Sequence, residues 1–148
     1  MVDFEGLNVL DLFSGTGSIS YEFISRGAAS VTSVEVNAVH HNFIKQTAAS
    51  FGMRNLFAVR ANAFLYLKSA TKQFDLIFSD APYDLEGTEE VVNLVFDRKL
   101  LRPGGLLIFE HSKDKSFTGH PFLIQERTYG SVHFSIFMYP DEEKPSEE

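Results

Sequence analysis

The 148-residue chain has room for one domain with a sizeable core, since 44% of its residues are hydrophobic. It has no cysteine, which excludes disulfides, thiolate metal sites and cysteine nucleophiles. Its formal charge of −7 is concentrated in residues 141–148, which carry five acids and one lysine, so the remaining body at about −3 argues against a broad phosphate-binding surface. The opening MVDFE lacks a basic segment followed by an apolar run, and no apolar stretch approaches the length of a membrane span. A cytoplasmic setting is expected, with residues 1–140 as one domain and 141–148 as an acidic, disordered tail.

Residues 9–17, VLDLFSGTG, read as a strand buried on both faces that breaks into a small-residue loop. Residues 18–25 carry Ile19, Phe23 and Ile24 at helical spacing, and Arg26 with Gly27 marks the stop. A β-branched strand over 28–35 ends on Glu35, and Asn37 is a plausible N-cap for a helix that Gly52 terminates. The alternation continues with a strand over 56–59, a short helix over 63–69, a buried strand over 74–79 and a helix over 88–96. Residues 102–105, RPGG, are predicted to turn ahead of a strand over 106–110. Such βα alternation implies a parallel sheet with helices on both faces. The last third differs: runs at 122–128 and 132–138 are joined by only three residues, so they must pair antiparallel. In the second run Val132, Phe134, Ile136 and Met138 alternate with His133 and Ser135.

Ligands of open α/β sheets bind outside the carboxyl ends of the strands. Asp11 with the Gly15 loop, Glu35, Asn62 and the Asp80-Ala-Pro-Tyr83 segment all fall at such ends. Glu35 lies about twenty residues past the loop, where nucleotide-binding folds place an acid for the ribose hydroxyls. The loop lacks the third glycine of the dinucleotide fingerprint, and Asp11 would repel a pyrophosphate, so NAD is disfavoured. A ligand with adenine and ribose, no phosphate and a cationic end fits better, and S-adenosylmethionine has that description. The expected cofactor residues are Asp11, Phe13, Ser14, Gly15, Thr16 and Gly17 in the loop, Glu35, Val36 and Asn37 at the ribose, and Asn62, Ala63 and Phe64 at adenine. Asp80, Ala81, Pro82 and Tyr83 are the catalytic candidates. The Asp80 carboxylate and Ala81 carbonyl would accept the two N–H groups of an exocyclic amine, Pro82 would fix the turn, and Tyr83 would offer a face for stacking.

On these motifs, together with the segment SRGA at 25–28 and FDLIFSDAPY at 74–83, the chain resembles class I S-adenosylmethionine-dependent methyltransferases, most closely the RsmD-like family. The resemblance implies a Rossmann-like, mostly parallel seven-stranded sheet with a C-terminal antiparallel hairpin. It also implies methylation of a guanine N2 amine in small-subunit ribosomal RNA; a monomer is expected. Ala81 replaces a proline usual in the family; since that position supplies a backbone carbonyl, activity is expected to survive with a looser loop. Asn62 replaces an adenine-side acid and is expected to reach adenine through its amide oxygen. The family's basic N-terminal arm is expected to be missing here, and with it the RNA contacts it would supply. The same tetrad would serve adenine in DNA or a glutamine side chain, and a cofactor-binding domain without transfer activity would keep the same loop. The five histidines show no ligand spacing, so no metal is expected; His111 is read as structural, and Lys113 and Lys115 as a solvated loop.

Overall fold

The structure, a computed structural model, describes residues 3–141. Residues 142–148, most of the expected acidic tail, lie outside the described residues. The elements are β1 (Asn8–Leu12), α1 (Ser18–Ser25), β2 (Ser30–Val34), α2 (Ala38–Ser50), β3 (Leu56–Val59), α3 (Ala63–Ser69), β4 (Phe74–Asp80), α4 (Glu89–Asp97), β5 (Leu101–His111), β6 (Leu123–Tyr129) and β7 (Val132–Met138). They form one seven-stranded sheet of order β3-β2-β1-β4-β5-β7-β6. Strands β1 to β5 pair parallel, and β7 inserts antiparallel between β5 and β6.

Successive strand residues point to opposite faces, and the two faces take different helices. Leu10 and Leu12 join Leu67 of α3 and Val91 and Val95 of α4 in the larger core, which also holds Phe109 and Phe137. Val9, Val31 and Leu76 pack against Phe23 of α1 on the other face, and Ile44 and Ala48 of α2 continue that layer over Leu56. The strand order reverses between β1 and β4, so the crevice at their carboxyl ends is where a ligand site is expected.

One sequence expectation fails. Residues 102–105 do not separate elements but lie within β5, where the pairing with β4 slips from Phe74↔Leu101 to Leu76↔Leu106. The slip is a bulge that keeps the ladder going on both sides. Gly105 permits it, since a Cβ there would sit 2.8 Å from the Arg102 carbonyl oxygen and 3.1 Å from that of Asp75. In β7 the fully buried residues are Ser135 and Phe137, while Phe134 and Ile136 are half-buried. Pairing with β5 puts Phe137 opposite Leu107, on the face that α4 covers. With both faces of the sheet covered, apolar alternation alone does not tell which side is inner.

Candidate active site

After Leu12 the chain turns at Phe13, held at φ +58°, a left-handed conformation that costs of order 1 kcal/mol for a bulky residue. The loop that follows is closed by its own hydrogen bonds. The Ser14 N–H donates to the Val34 carbonyl (3.0 Å), the Ser14 hydroxyl to the Asp11 carbonyl (2.7 Å) and the Gly17 N–H to the Ser14 carbonyl (2.9 Å). Gly17 sits at φ +91°, and a Cβ there would lie 2.7 Å from the ring of Tyr21, whose hydroxyl donates to the Thr16 carbonyl. Ser14, Thr16 and Gly17 therefore build the loop from behind. Phe13 and Gly15 face a cavity of about 640 Å³.

Asp11 is not in that cavity wall, contrary to its expected contact with the cofactor. It shares a register with Ser33 and points to the α1 side, where the Ser20 hydroxyl donates to its Oδ2 (2.6 Å) and also contacts the Ser33 hydroxyl. Only 2% of Asp11 is exposed. Burial lifts its carboxyl to about 7; the Ser20 hydrogen bond opposes the rise, and repulsion from Asp80 and Glu35 adds to it.

Glu35 is buried at the end of β2 and lines the cavity. Its Oε1 accepts the Gly15 N–H and its Oε2 accepts the Asn37 N–H, each at 2.8 Å. Each oxygen keeps a further lone pair, so the side chain brackets the loop and still has acceptors for hydroxyls. Val36 and Asn37 follow along the wall, with the Asn37 side chain capping α2 through the His40 N–H.

Asn62, Ala63 and Phe64 also line the cavity, but the Asn62 amide oxygen is already committed. It caps α3 by accepting the Phe64 and Leu65 N–H groups at 2.9 and 3.1 Å. The side-chain oxygen and the Phe64 amide expected to meet adenine thus satisfy each other. The groups left for a base are the Asn62 NH₂ and the Ala63 N–H, which the cap does not reach. The rings of Phe13 and Phe64 meet edge to face at 6.0 Å and form an apolar wall beside them.

Across the crevice, Asp80, Ala81, Pro82 and Tyr83 line the same cavity. The Pro82 carbonyl accepts the Leu85 N–H (3.0 Å), which curls the segment, while the Ala81 carbonyl accepts no such turn hydrogen bond among the described residues. Tyr83 is 55% exposed, so a ring face is open to stacking. Its hydroxyl donates across 3.4 Å to Oε2 of Glu110 at the end of β5. Glu110 is a cavity residue that the sequence reading missed, as is His40 at the start of α2. Burial first, and then a hydrogen bond with Asp80 and its charge, push the Glu110 carboxyl up to about 7.

His111 lies outside this cavity. Its Nε2 is 2.8 Å from the Ser135 hydroxyl and its Nδ1 is 2.7 Å from the Ser112 carbonyl, a structural role. Among the described residues no group of three or more His, Asp or Glu is placed to hold a metal ion, and no helix is long and apolar enough to cross a membrane.

A sheet of this order, with a glycine loop after β1, a buried acid after β2 and an Asp-Ala-Pro-Tyr turn after β4, has the Rossmann-like methyltransferase fold. A solved structure from Haemophilus influenzae, reported as a candidate methylase, superposes with a TM-score of 0.83 at 26% identity, covering 93% of this chain and 89% of its own. Residues 1–138 match the family described as conserved hypothetical protein 95, and the chain belongs to that family. Ribosomal RNA small subunit methyltransferase D of Buchnera aphidicola (subspecies Baizongia pistaciae) is 28% identical over 133 residues, 87% of this chain and 68% of its own length. Ribosomal RNA large subunit methyltransferase K/L of Shewanella pealeana is 35% identical over 124 residues, 75% of this chain but 17% of that much longer protein.

Proposed function

We propose that residues 1–140 form a domain that binds S-adenosylmethionine over the ends of β1, β2 and β3 and methylates the exocyclic N2 amine of a guanine in small-subunit ribosomal RNA. The observation that carries this reading is the pairing, in one cavity, of a nucleoside-sized cradle with an Asp80 carboxylate and an uncommitted Ala81 carbonyl. The volume of about 640 Å³ suits a nucleoside ligand. Glu35 would take the ribose hydroxyls on its remaining lone pairs, and the Asn62 NH₂ and Ala63 N–H would donate to adenine lying against the Phe13–Phe64 wall. The bound cofactor supplies an electrophilic methyl group on a sulfonium.

The amine to be methylated is a poor nucleophile, because its lone pair is delocalised into the base. Asp80 and the Ala81 carbonyl hold its two N–H groups and so aim that lone pair, while Tyr83 stacks on the base. This is catalysis by positioning. The reaction is placed in the cytoplasm, where small subunits assemble, and the chain acts as a monomer. The relatives support ribosomal RNA as the substrate class, and the Shewanella protein favours the large subunit as a second reading.

The test offers unmethylated small and large subunits with methyl-labelled cofactor, followed by digestion to nucleosides. Labelled N2-methylguanosine from the small subunit is expected, and Asp80→Ala should lower the rate by about 1,000-fold while S-adenosylhomocysteine still binds. Label in another base, or in the large subunit alone, would displace this assignment.

A further inference from the structure

Holding an amine needs two acceptors, and Asp80 with Ala81 already provides them; Glu110 is a third. Its position is fixed by the sheet. β4 and β5 are parallel neighbours with Asp80 opposite Glu110, so the two side chains leave adjacent strand ends on the same side. Strands in such a ladder lie about 4.8 Å apart, which brings the carboxyl groups within reach of one planar ligand edge. No lysine or arginine of the described residues lines the cavity to neutralise the pair. The Tyr83 hydroxyl donates to Oε2 of Glu110, and Asp80 is the other side chain against that carboxyl. Glu110 is partly buried beside the exposed Asp80 with no cation in the cavity wall, so its charged form is costly unless a ligand brings an N–H donor to it.

The edge of guanine does so. Beside the two N–H groups of N2 it carries the N1–H, three donors in a row, whereas adenine places a lone pair on N1 beside its amine. A carboxylate facing that position accepts from guanine and repels adenine. We propose that Glu110 is the specificity-determining residue, accepting the guanine N1–H while Asp80 and Ala81 hold the N2 amine. This rests on the methyl-transfer reading above. Selectivity then comes from β5, and the turn after β4 only aims the amine.

The experiment first maps the position that the wild-type chain methylates, then compares two ligated transcripts carrying guanosine or 2-aminopurine riboside there. 2-Aminopurine keeps the amine but replaces N1–H with a lone pair. Wild type should prefer guanine by at least about 100-fold in single-turnover rate, because a site built around an N–H rejects the analogue lacking it. In Glu110→Gln, whose amide donates as well as accepts, the preference should fall below about tenfold. S-adenosylhomocysteine affinity should stay within about twofold, which reports an intact cavity. A wild-type chain that methylates no guanine overturns the methyl-transfer reading and this inference with it. Equal use of both transcripts by wild type, or an undiminished preference in Glu110→Gln, overturns the role of Glu110 alone.

Discussion

Along the β1–β3 side of the cavity, Glu35 and Asn62 accept four backbone N–H groups between them, from Gly15, Asn37, Phe64 and Leu65. Along the β4–β5 side, Asp80 and Glu110 face each other, the Ala81 carbonyl has no turn partner, and the Tyr83 hydroxyl reaches Glu110 only at 3.4 Å. The first wall holds its shape without a ligand, so binding there loses little to reorganisation. The second is left short of donors, which a base edge would supply. On the proposed function, recognition of a nucleoside and selection of one base would thus come from opposite treatments of the same kind of residue, an acid at a strand end.

That contrast can be broken from either side. Glu35→Ala removes ribose acceptors and also frees the Gly15 and Asn37 N–H groups, so S-adenosylhomocysteine affinity should fall by about 100-fold in calorimetric titration. An unaffected affinity would mean that the bracket serves only the loop. On the other wall, an ionised Glu110 accepts N–H donors and a protonated one does not. With its carboxyl raised to about 7, methyl transfer should climb about tenfold between pH 6 and pH 8. The titratable groups facing Glu110 are Asp80 of β4 and Tyr83 of the turn after it; its cross-strand partner on β7, Phe134, is uncharged. Glu110→Gln should lose this rise in the same single-turnover assay, which separates its titration from that of Asp11.

The smallest effect concerns Asp11, behind the first wall. Its carboxyl is raised in the folded chain to about 7 from the ordinary aspartate value of 3.8, so the folded state binds this proton more tightly than the unfolded one. Its destabilising effect is absent below the unfolded value, grows as pH rises through the interval, and is complete above about 7. Asn at position 11 can accept the Ser20 hydrogen bond without a charge. The melting temperature of Asp11→Asn relative to wild type should therefore be higher at pH 8 than at pH 5 by about 5 °C.

The order of strands and helices was readable because hydrophobic period and glycine punctuation act locally. Four strand-end features were picked out from position alone, and Glu35, Asn62 and Asp80 do meet in one cavity with Gly15. Asp11 went astray for a reason of period: one residue along β1 exchanges the cavity side for the α1 side, and only the partner serine of α1 decides which. Asn62 is expected from sequence as an adenine contact; its role as the cap of α3 consumes the oxygen meant for the base. Glu110 had a signal, an acid closing an apolar run as Asp80 does. Its meaning depends on β5 lying next to β4, and sheet order is a long-range property that no window of sequence displays. The bulge over 102–105 was hidden likewise, since Pro and two glycines mark a turn and an interrupted ladder equally well.

The insertion of β7 beside β5 also sets an order of assembly. Every element that cradles the nucleoside lies within residues 8–69, joined by short local connections, whereas β5 gains its second neighbour only from Val132–Met138 at the far end of the sheet-forming chain. Local contacts form fast and long-range strand pairing slowly. In a chain emerging from synthesis, the residues of the proposed cofactor cradle are therefore made well before β7, the strand that braces Glu110 from the side opposite Asp80.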